Sequence, residues 1–278
     1  MNKADLIYKQ NLQRILDEGC WDENPRPRYE TDGAPAHSKF ITQVFEEYDI
    51  SKGELPITTL RPIVIGKAIQ EMLWIYQDQT SDLKVLRDKY SILWWNQWGL
   101  KDDTIGQRYG ATVSKYDLMN QLLNRIANDF FGRRHIISLW QEQDFKDTEG
   151  LPPCAFQTIW SGRKVNGEKY LDCTLIQRSS DYPTAGHINM MQYVALMMMV
   201  AHHLGIKVGK FARFTQNLHM YSRHEDQVRE MLQREPSTET PQLILNAEGK
   251  SFYEIEATDF KLINYNPVRP QLKFELGI

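Results

Sequence analysis

Leu151-Pro152-Pro153-Cys154 and, 24 positions after the cysteine, Arg178-Ser179-Ser180-Asp181 bracket the stretch that decides the fold. Residues 155–162 and 169–178 read as strands, the second containing Leu171 to Ile176. The segment from Phe156 to Gln177 can form a hairpin that brings the chain back to Cys154. Downstream lies the most apolar run, Ile188 to Leu204, which contains Asn189, Gln192, His202 and His203. A bilayer span needs about 20 apolar residues, so this run is expected to be a buried core helix. Further strands are expected at 40–48, 135–140 and 208–217 and around Leu243-Ile244-Leu245. Helical spacing of apolar residues predicts helices at 3–18, 62–76, 117–129 and 222–233. Strands and helices are interspersed without regular βα alternation, which predicts an α+β fold. No convincing linker divides the chain, so residues 1–278 are expected to form one domain.

Composition narrows the function classes. The 278 residues include 41% hydrophobic and 25% charged residues, as in globular proteins. A net charge of −3 gives no global basic bias towards nucleic acid. A few local arginines still suffice to hold a small anion. The N-terminus has no apolar signal core. The three cysteines, Cys20, Cys154 and Cys173, have no metal-site spacing. A reducing, cytoplasmic setting is expected.

Several side chains suit chemistry. A thiol attacks as thiolate, and a nearby guanidinium favours that form. Cys154 with Arg178 fits this pattern, and the two prolines fix the backbone before the sulfur. The alternative for Cys154 is an ordinary buried thiol. Arg133-Arg134 before a strand, Arg178-Ser179, and Arg26 and Arg28 in an early loop suit a phosphate monoester, or are solvated surface charges. Glu71 interrupts an apolar helix face; if buried, its pKa rises and it can carry protons. Trp94-Trp95-Asn96-Gln97-Trp98 could stack a flat ligand or pack the core. Asn189 could read a pyrimidine edge, since an amide both donates and accepts, or cap a helix. His219 and Tyr221 alternate on a strand and so share a face, where they bind a sugar or remain satisfied core polars.

In this order and spacing, the segments resemble thymidylate synthases over essentially the whole chain. The resemblance rests on Pro153-Cys154, on Gln177-Arg178-Ser179-x-Asp181 and on Asn189, with Arg133-Arg134 and Glu71-x-Leu73-Trp74 adding to it. Trp95-x-x-Trp98, Gly106-x-x-Tyr109-Gly110 and His219-x-Tyr221 complete the pattern. It implies reductive methylation of dUMP to dTMP by 5,10-methylenetetrahydrofolate, with no metal, flavin or nicotinamide. Cys154 would attack uracil C6, and Arg178 would lower the thiol pKa and bind phosphate with Ser179. Asn189 would select uracil, and His219 and Tyr221 would hold the deoxyribose. Glu71 would organise proton transfers, and Tyr109 would assist loss of the C5 proton. Trp95, Trp98 and Asp181 would form the folate site, closed by Ile278. The implied architecture is a mixed twisted sheet with a buried central helix, paired back to back in a homodimer. Arg133 and Arg134 would cross to the partner's phosphate. No membrane and no obligatory nucleic acid partner is implied.

The chain also departs from the family pattern. Thr31-Asp32-Gly33 lacks the usual arginine before glycine, so Arg26 or Arg28 is expected to substitute. Leu60 replaces a folate-tail lysine, with Arg61 following. Ala155 follows the cysteine in place of histidine, Ala185 and His187 alter the expected pocket wall, and Asn217 replaces aspartate. Two rival activities share this pattern. One is a dUMP hydroxymethylase, in which water completes the reaction. The other is a non-catalytic nucleotide- or RNA-binding protein on the same scaffold.

Overall fold

Six strands form one sheet and a long helix fills its inner face, in a computed structural model that describes residues 2–278. The chain begins with α1 (Lys3–Glu18), β1 (Cys20–Trp21) and β2 (Ser38–Asp49). Next come α2 (Ile65–Tyr76), α3 (Leu83–Tyr90), α4 (Gly110–Lys115), α5 (Leu118–Asn128), β3 (His135–Ser138) and α6 (Glu142–Asp147). The sheet continues with β4 (Ala155–Val165) and β5 (Glu168–Asp181), and α7 (Tyr182–His203) leads to β6 (Lys207–Tyr221). Then follow α8 (Glu225–Gln233), β7 (Gln242–Leu245) and β8 (Phe260–Ile263).

The sheet order is β1-β2-β6-β5-β4-β3, and β7-β8 form a separate small sheet. β5 and β6 are parallel; every other pair is antiparallel. A parallel pair needs a crossover, and α7 supplies it. Pro183 lies in the first turn of α7, where its missing N–H costs nothing. Most of its residues are buried, including Met190, Met191, Val194, Leu196 and Met197. This is the mixed sheet with a buried helix in an α+β fold. No helix among the described residues is long and apolar enough to cross a membrane.

The β4–β5 hairpin turns at Asn166 (φ 50°) and Gly167 (φ 87°), between the paired Val165 and Glu168. Two positive φ angles define the tight turn that matches strand twist, and Asn-Gly adopts it readily. At its open end a bulge between Ala155 and Gln157 follows directly after Cys154. Bulges re-aim the chain next to functional side chains.

Several boundaries differ from expectation. The helix expected at 62–76 starts at Ile65, and Pro62 lies in the irregular segment before it. Strand β6 runs on to Tyr221, which places His219 and Tyr221 within it. The helix expected at 222–233 begins with a tighter turn at Ser222–His224 and becomes α-helical at Glu225. The buried helix begins at Tyr182, so Asn189 lies two turns inside it and is not a cap.

Candidate active site

Cys154 sits at the open end of the β4–β5 hairpin. Arg178 N donates to the Cys154 carbonyl at 3.0 Å, and Ala155 lies opposite Gln177. The Arg178 guanidinium donates from Nε to Pro153 O (3.1 Å), from Nη2 to Pro152 O (2.8 Å) and from Nη1 to Ser179 Oγ (3.3 Å). The Ser179 hydroxyl in turn donates to Cys154 Sγ at 3.6 Å. Arg178 therefore reaches the sulfur through Ser179. The two prolines orient the guanidinium as well as the thiol, because their carbonyls are its acceptors.

Tyr109 approaches from the other side. Its hydroxyl accepts the Cys154 N–H at 3.2 Å. Tyr109 is nearly buried, with φ +46°, a conformation that costs a non-glycine residue of order 1–3 kcal/mol. The next residue must be glycine: a Cβ on Gly110 would meet the Thr80 carbonyl oxygen at 2.2 Å. Trp95 packs edge-on against Tyr109 at 5.1 Å and against Trp98 at 5.7 Å.

Glu71 is buried on α2 and is 7% exposed. Its carboxylate accepts from Trp95 Nε1 (2.7 Å), Trp94 Nε1 (3.0 Å) and Gln192 Nε2 (2.8 Å). Burial drives its pKa up to about 7, although these three donors oppose the shift. The carboxyl is thus poised to exchange a proton near neutral pH. From Gln192 the hydrogen bonds continue: Asn189 Nδ2 donates to Gln192 Oε1 (3.0 Å), and Gln177 Nε2 donates to Asn189 Oδ1 (3.2 Å). Glu71 and Asn189, unconnected in sequence, belong to one polar chain.

His219 and Tyr221 share a face of β6 with ring centroids 5.3 Å apart. Burial lowers the His219 pKa, which favours the neutral ring, and its Nδ1 lies 2.9 Å from Asn217 Oδ1. The unexpected Asn217 therefore orients His219. At the start of α7, Asp181 Oδ1 is 3.5 Å from His224 Nδ1. Burial pushes the Asp181 carboxyl up, but His224 and His219 outweigh it and hold it below the usual range.

The early loop and the tail meet. Arg28 N donates to Ile278 O (2.8 Å) and Ile278 N donates to Arg28 O (2.9 Å). The Arg28 side chain donates to Pro25 O (2.6 Å) and Pro27 O (3.2 Å), whereas Arg26 is exposed; burial raises the Tyr221 pKa, and the nearby Arg26 charge opposes the rise. Arg133 and Arg134 are exposed just before edge strand β3.

Two expectations about the departures are corrected. Leu60 is fully buried, and Arg61 is 4% exposed with Nη2 donating to Thr184 O at 2.6 Å. Arg61 is committed to the core and does not stand in for a surface lysine. His187 is a core residue, not a pocket wall: it is fully buried, packs edge-on against Tyr8 at 4.3 Å and bonds Pro56 O at 2.9 Å. Burial lowers its pKa to about 3, so it is neutral.

Sequence reasoning assigned no role to Gln192, Gln177 or His224, and placed Trp94 only among tryptophans that could stack a flat ligand or pack the core. Gln192 carried a signal: a glutamine three residues after Asn189, inside an otherwise apolar helix, shares its face.

Comparisons with known proteins identify the family. The model of the thymidylate synthase family matches residues 6–278. Thymidylate synthases of Streptococcus pneumoniae (strain 70585) and Streptococcus gordonii are each 56% identical over 280 residues, covering all of both chains. The solved structure of thermostable thymidylate synthase A from Bacillus subtilis matches with a TM-score of 0.90 at 32% identity, covering 99% of each chain. With a full-length family match, close relatives and a shared fold, the chain belongs to the thymidylate synthase family, methyltransferases of dTMP synthesis.

Proposed function

We propose that Cys154 attacks C6 of dUMP, and that the site shaped around it carries reductive methylation to dTMP. The observation that carries this reading is the position of Cys154 between Ser179 on its sulfur and Tyr109 on its N–H. Bond formation at C6 makes C5 a carbon nucleophile, which divides a hard substitution into feasible steps. 5,10-Methylenetetrahydrofolate supplies the carbon and the hydride as cosubstrate. Asn189 binds the pyrimidine edge, accepting from N3–H and donating to O4. Arg178, Ser179 and Arg26 bind phosphate. His219 and Tyr221 hold the deoxyribose. Glu71, with a pKa near 7, both gives and takes protons at the pyrimidine and folate. Tyr109 assists removal of the C5 proton. Trp95, Trp98 and Asp181 form the folate wall, and Ile278 closes it.

The working unit in this reading is a homodimer. The outer face of the sheet carries Phe45 (60% exposed), Phe214, Ile176, Ile159 and Ile136. Phe45 pairs with Phe214, Phe214 with Ile176, and Ile136 with Ile159, so apolar side chains recur across this face, with Gln157 and Thr174 between the two groups. Such a face favours burial against a second copy. Arg133 and Arg134, exposed at its edge, then serve the partner's phosphate.

The test is incubation of purified protein with dUMP and methylenetetrahydrofolate, following dihydrofolate by absorbance and the nucleotide by mass. dTMP and dihydrofolate in equal amounts are expected. Hydroxymethyl-dUMP with tetrahydrofolate would instead establish the hydroxymethylase.

A further inference from the structure

Arg213 and Glu46 form an ion pair completely enclosed in the protein, with side chains 0% and 1% exposed. Arg213 Nε donates to Glu46 Oε2 at 2.8 Å, and Tyr182 OH donates to Glu46 Oε1 at 2.8 Å. Buried ion pairs of this kind add little net stability, since desolvation offsets the attraction. Their better-attested use is to specify one arrangement over another. The arrangement at stake lies one bond away: Arg213 Nη1 donates to Gln177 Oε1 at 3.2 Å.

A guanidinium can only donate. Gln177, itself fully buried, must therefore turn its oxygen to Arg213 and its NH2 to Asn189. Asn189 must then accept through Oδ1 (3.2 Å) and donate through Nδ2 to Gln192 Oε1 (3.0 Å). Gln192 is left with its NH2 for the Glu71 carboxylate (2.8 Å). One donor-only end and one acceptor end fix the direction of every amide between them. Turning Asn189 over would face NH2 against NH2 at Gln177 and oxygen against oxygen at Gln192.

The orientation matters for the base. The edge of uracil presents an N3–H donor beside an O4 acceptor, whereas cytosine presents an N3 acceptor beside an N4 amino donor. An asparagine matches one edge or the other according to which way its amide points. We propose that Arg213, held by Glu46, is a positioning residue that sets the orientation of Asn189 through Gln177, and so sets the preference for uracil over cytosine. This rests on the reading of Asn189 as the pyrimidine contact. Arg213 touches no substrate and acts through one buried amide, Gln177.

The test compares the dissociation constants of dUMP and dCMP, measured by calorimetry, for wild type, Glu46→Gln/Arg213→Met and Gln177→Glu. The double variant removes both charges, so no buried ion is left unpaired. The second keeps the ion pair but replaces the Gln177 amide by an acceptor-only group, which draws Asn189 Nδ2 towards it. Both are expected to lower the dUMP-over-dCMP preference by about tenfold or more, the effect of mismatching hydrogen bonds in a buried site. A merely structural role would weaken both nucleotides alike and leave their ratio unchanged; that result, with cooperative melting, overturns the proposal. If the double variant does not melt cooperatively, Gln177→Glu decides. A wild type that shows no preference for dUMP would overturn the reading of Asn189 itself.

Discussion

The Tyr109 hydroxyl accepts the backbone N–H of Cys154 at 3.2 Å, from a residue at φ +46° that packs against Trp95 and precedes Gly110, the glycine pressed against the Thr80 backbone. The contact joins the tyrosine proposed to assist loss of the C5 proton to the residue that carries the thiol. Tyr109→Phe keeps the ring packing and removes the hydroxyl. Turnover is expected to fall by about 10²–10⁴-fold, the range for loss of a general acid–base group. Stability should fall by only about 1 kcal/mol for one hydrogen bond. Steady-state kinetics and urea unfolding measure the two effects.

The raised pKa of Glu71 makes stability depend on pH. Its folded pKa of about 7 exceeds the ordinary value of 4.5 because burial disfavours the charged form. The folded state therefore binds the proton more tightly than the unfolded one. Its contribution is fully present below pH 4.5 and is lost as pH rises through 7. A shift of this size corresponds to roughly 3 kcal/mol. In Glu71→Gln the pH-dependent loss disappears, whatever the constant cost of rearranged hydrogen bonds. Melting temperatures from pH 5 to 8 should show wild type losing stability relative to the variant. Parallel curves would place the Glu71 titration elsewhere.

Ile278 is tied to Arg28 by two backbone hydrogen bonds. Deleting it should reduce turnover about tenfold or more while changing dUMP affinity far less, as expected if the tail closes over ligands already bound. Equal losses in both would make the tail part of the nucleotide site.

The exposed Arg133 and Arg134 lead to a mixing experiment. Arg133→Ala/Arg134→Ala and Cys154→Ser should each be nearly inactive. Refolded together in equal amounts, they should regain about a quarter of wild-type turnover, since half the dimers are mixed and one site of each is intact. No recovery would mean that each chain supplies its own arginines.

The parts of the site that are legible in the sequence are those brought together locally. Cys154, Arg178 and Ser179 meet because one hairpin joins them, and alternation on a strand places His219 beside Tyr221. The helix of Ile188–Leu204 is legible from its apolar content, but its start is not, because Tyr182, Pro183 and Gly186 break that pattern. Less legible are contacts between distant elements. Glu71 on α2 meets Gln192 on α7, and Glu46 on β2 meets Arg213 on β6; nothing local says which residues pair. A charge in sequence also does not reveal its burial. Arg61 and Arg213 read as ordinary basic residues, yet the first is buried and donates to a helix carbonyl and the second lies in the core.

The central claim is a covalent bond between Cys154 Sγ and uracil C6. It is tested most directly by rapid acid quenching of the protein with dUMP and methylenetetrahydrofolate, followed by peptide mass spectrometry. The nucleotide mass is expected on the peptide that contains Cys154, and in Cys154→Ser both the adduct and turnover should vanish while dUMP still binds. Near-normal turnover by Cys154→Ser, or an adduct on Cys20 or Cys173, would contradict the account.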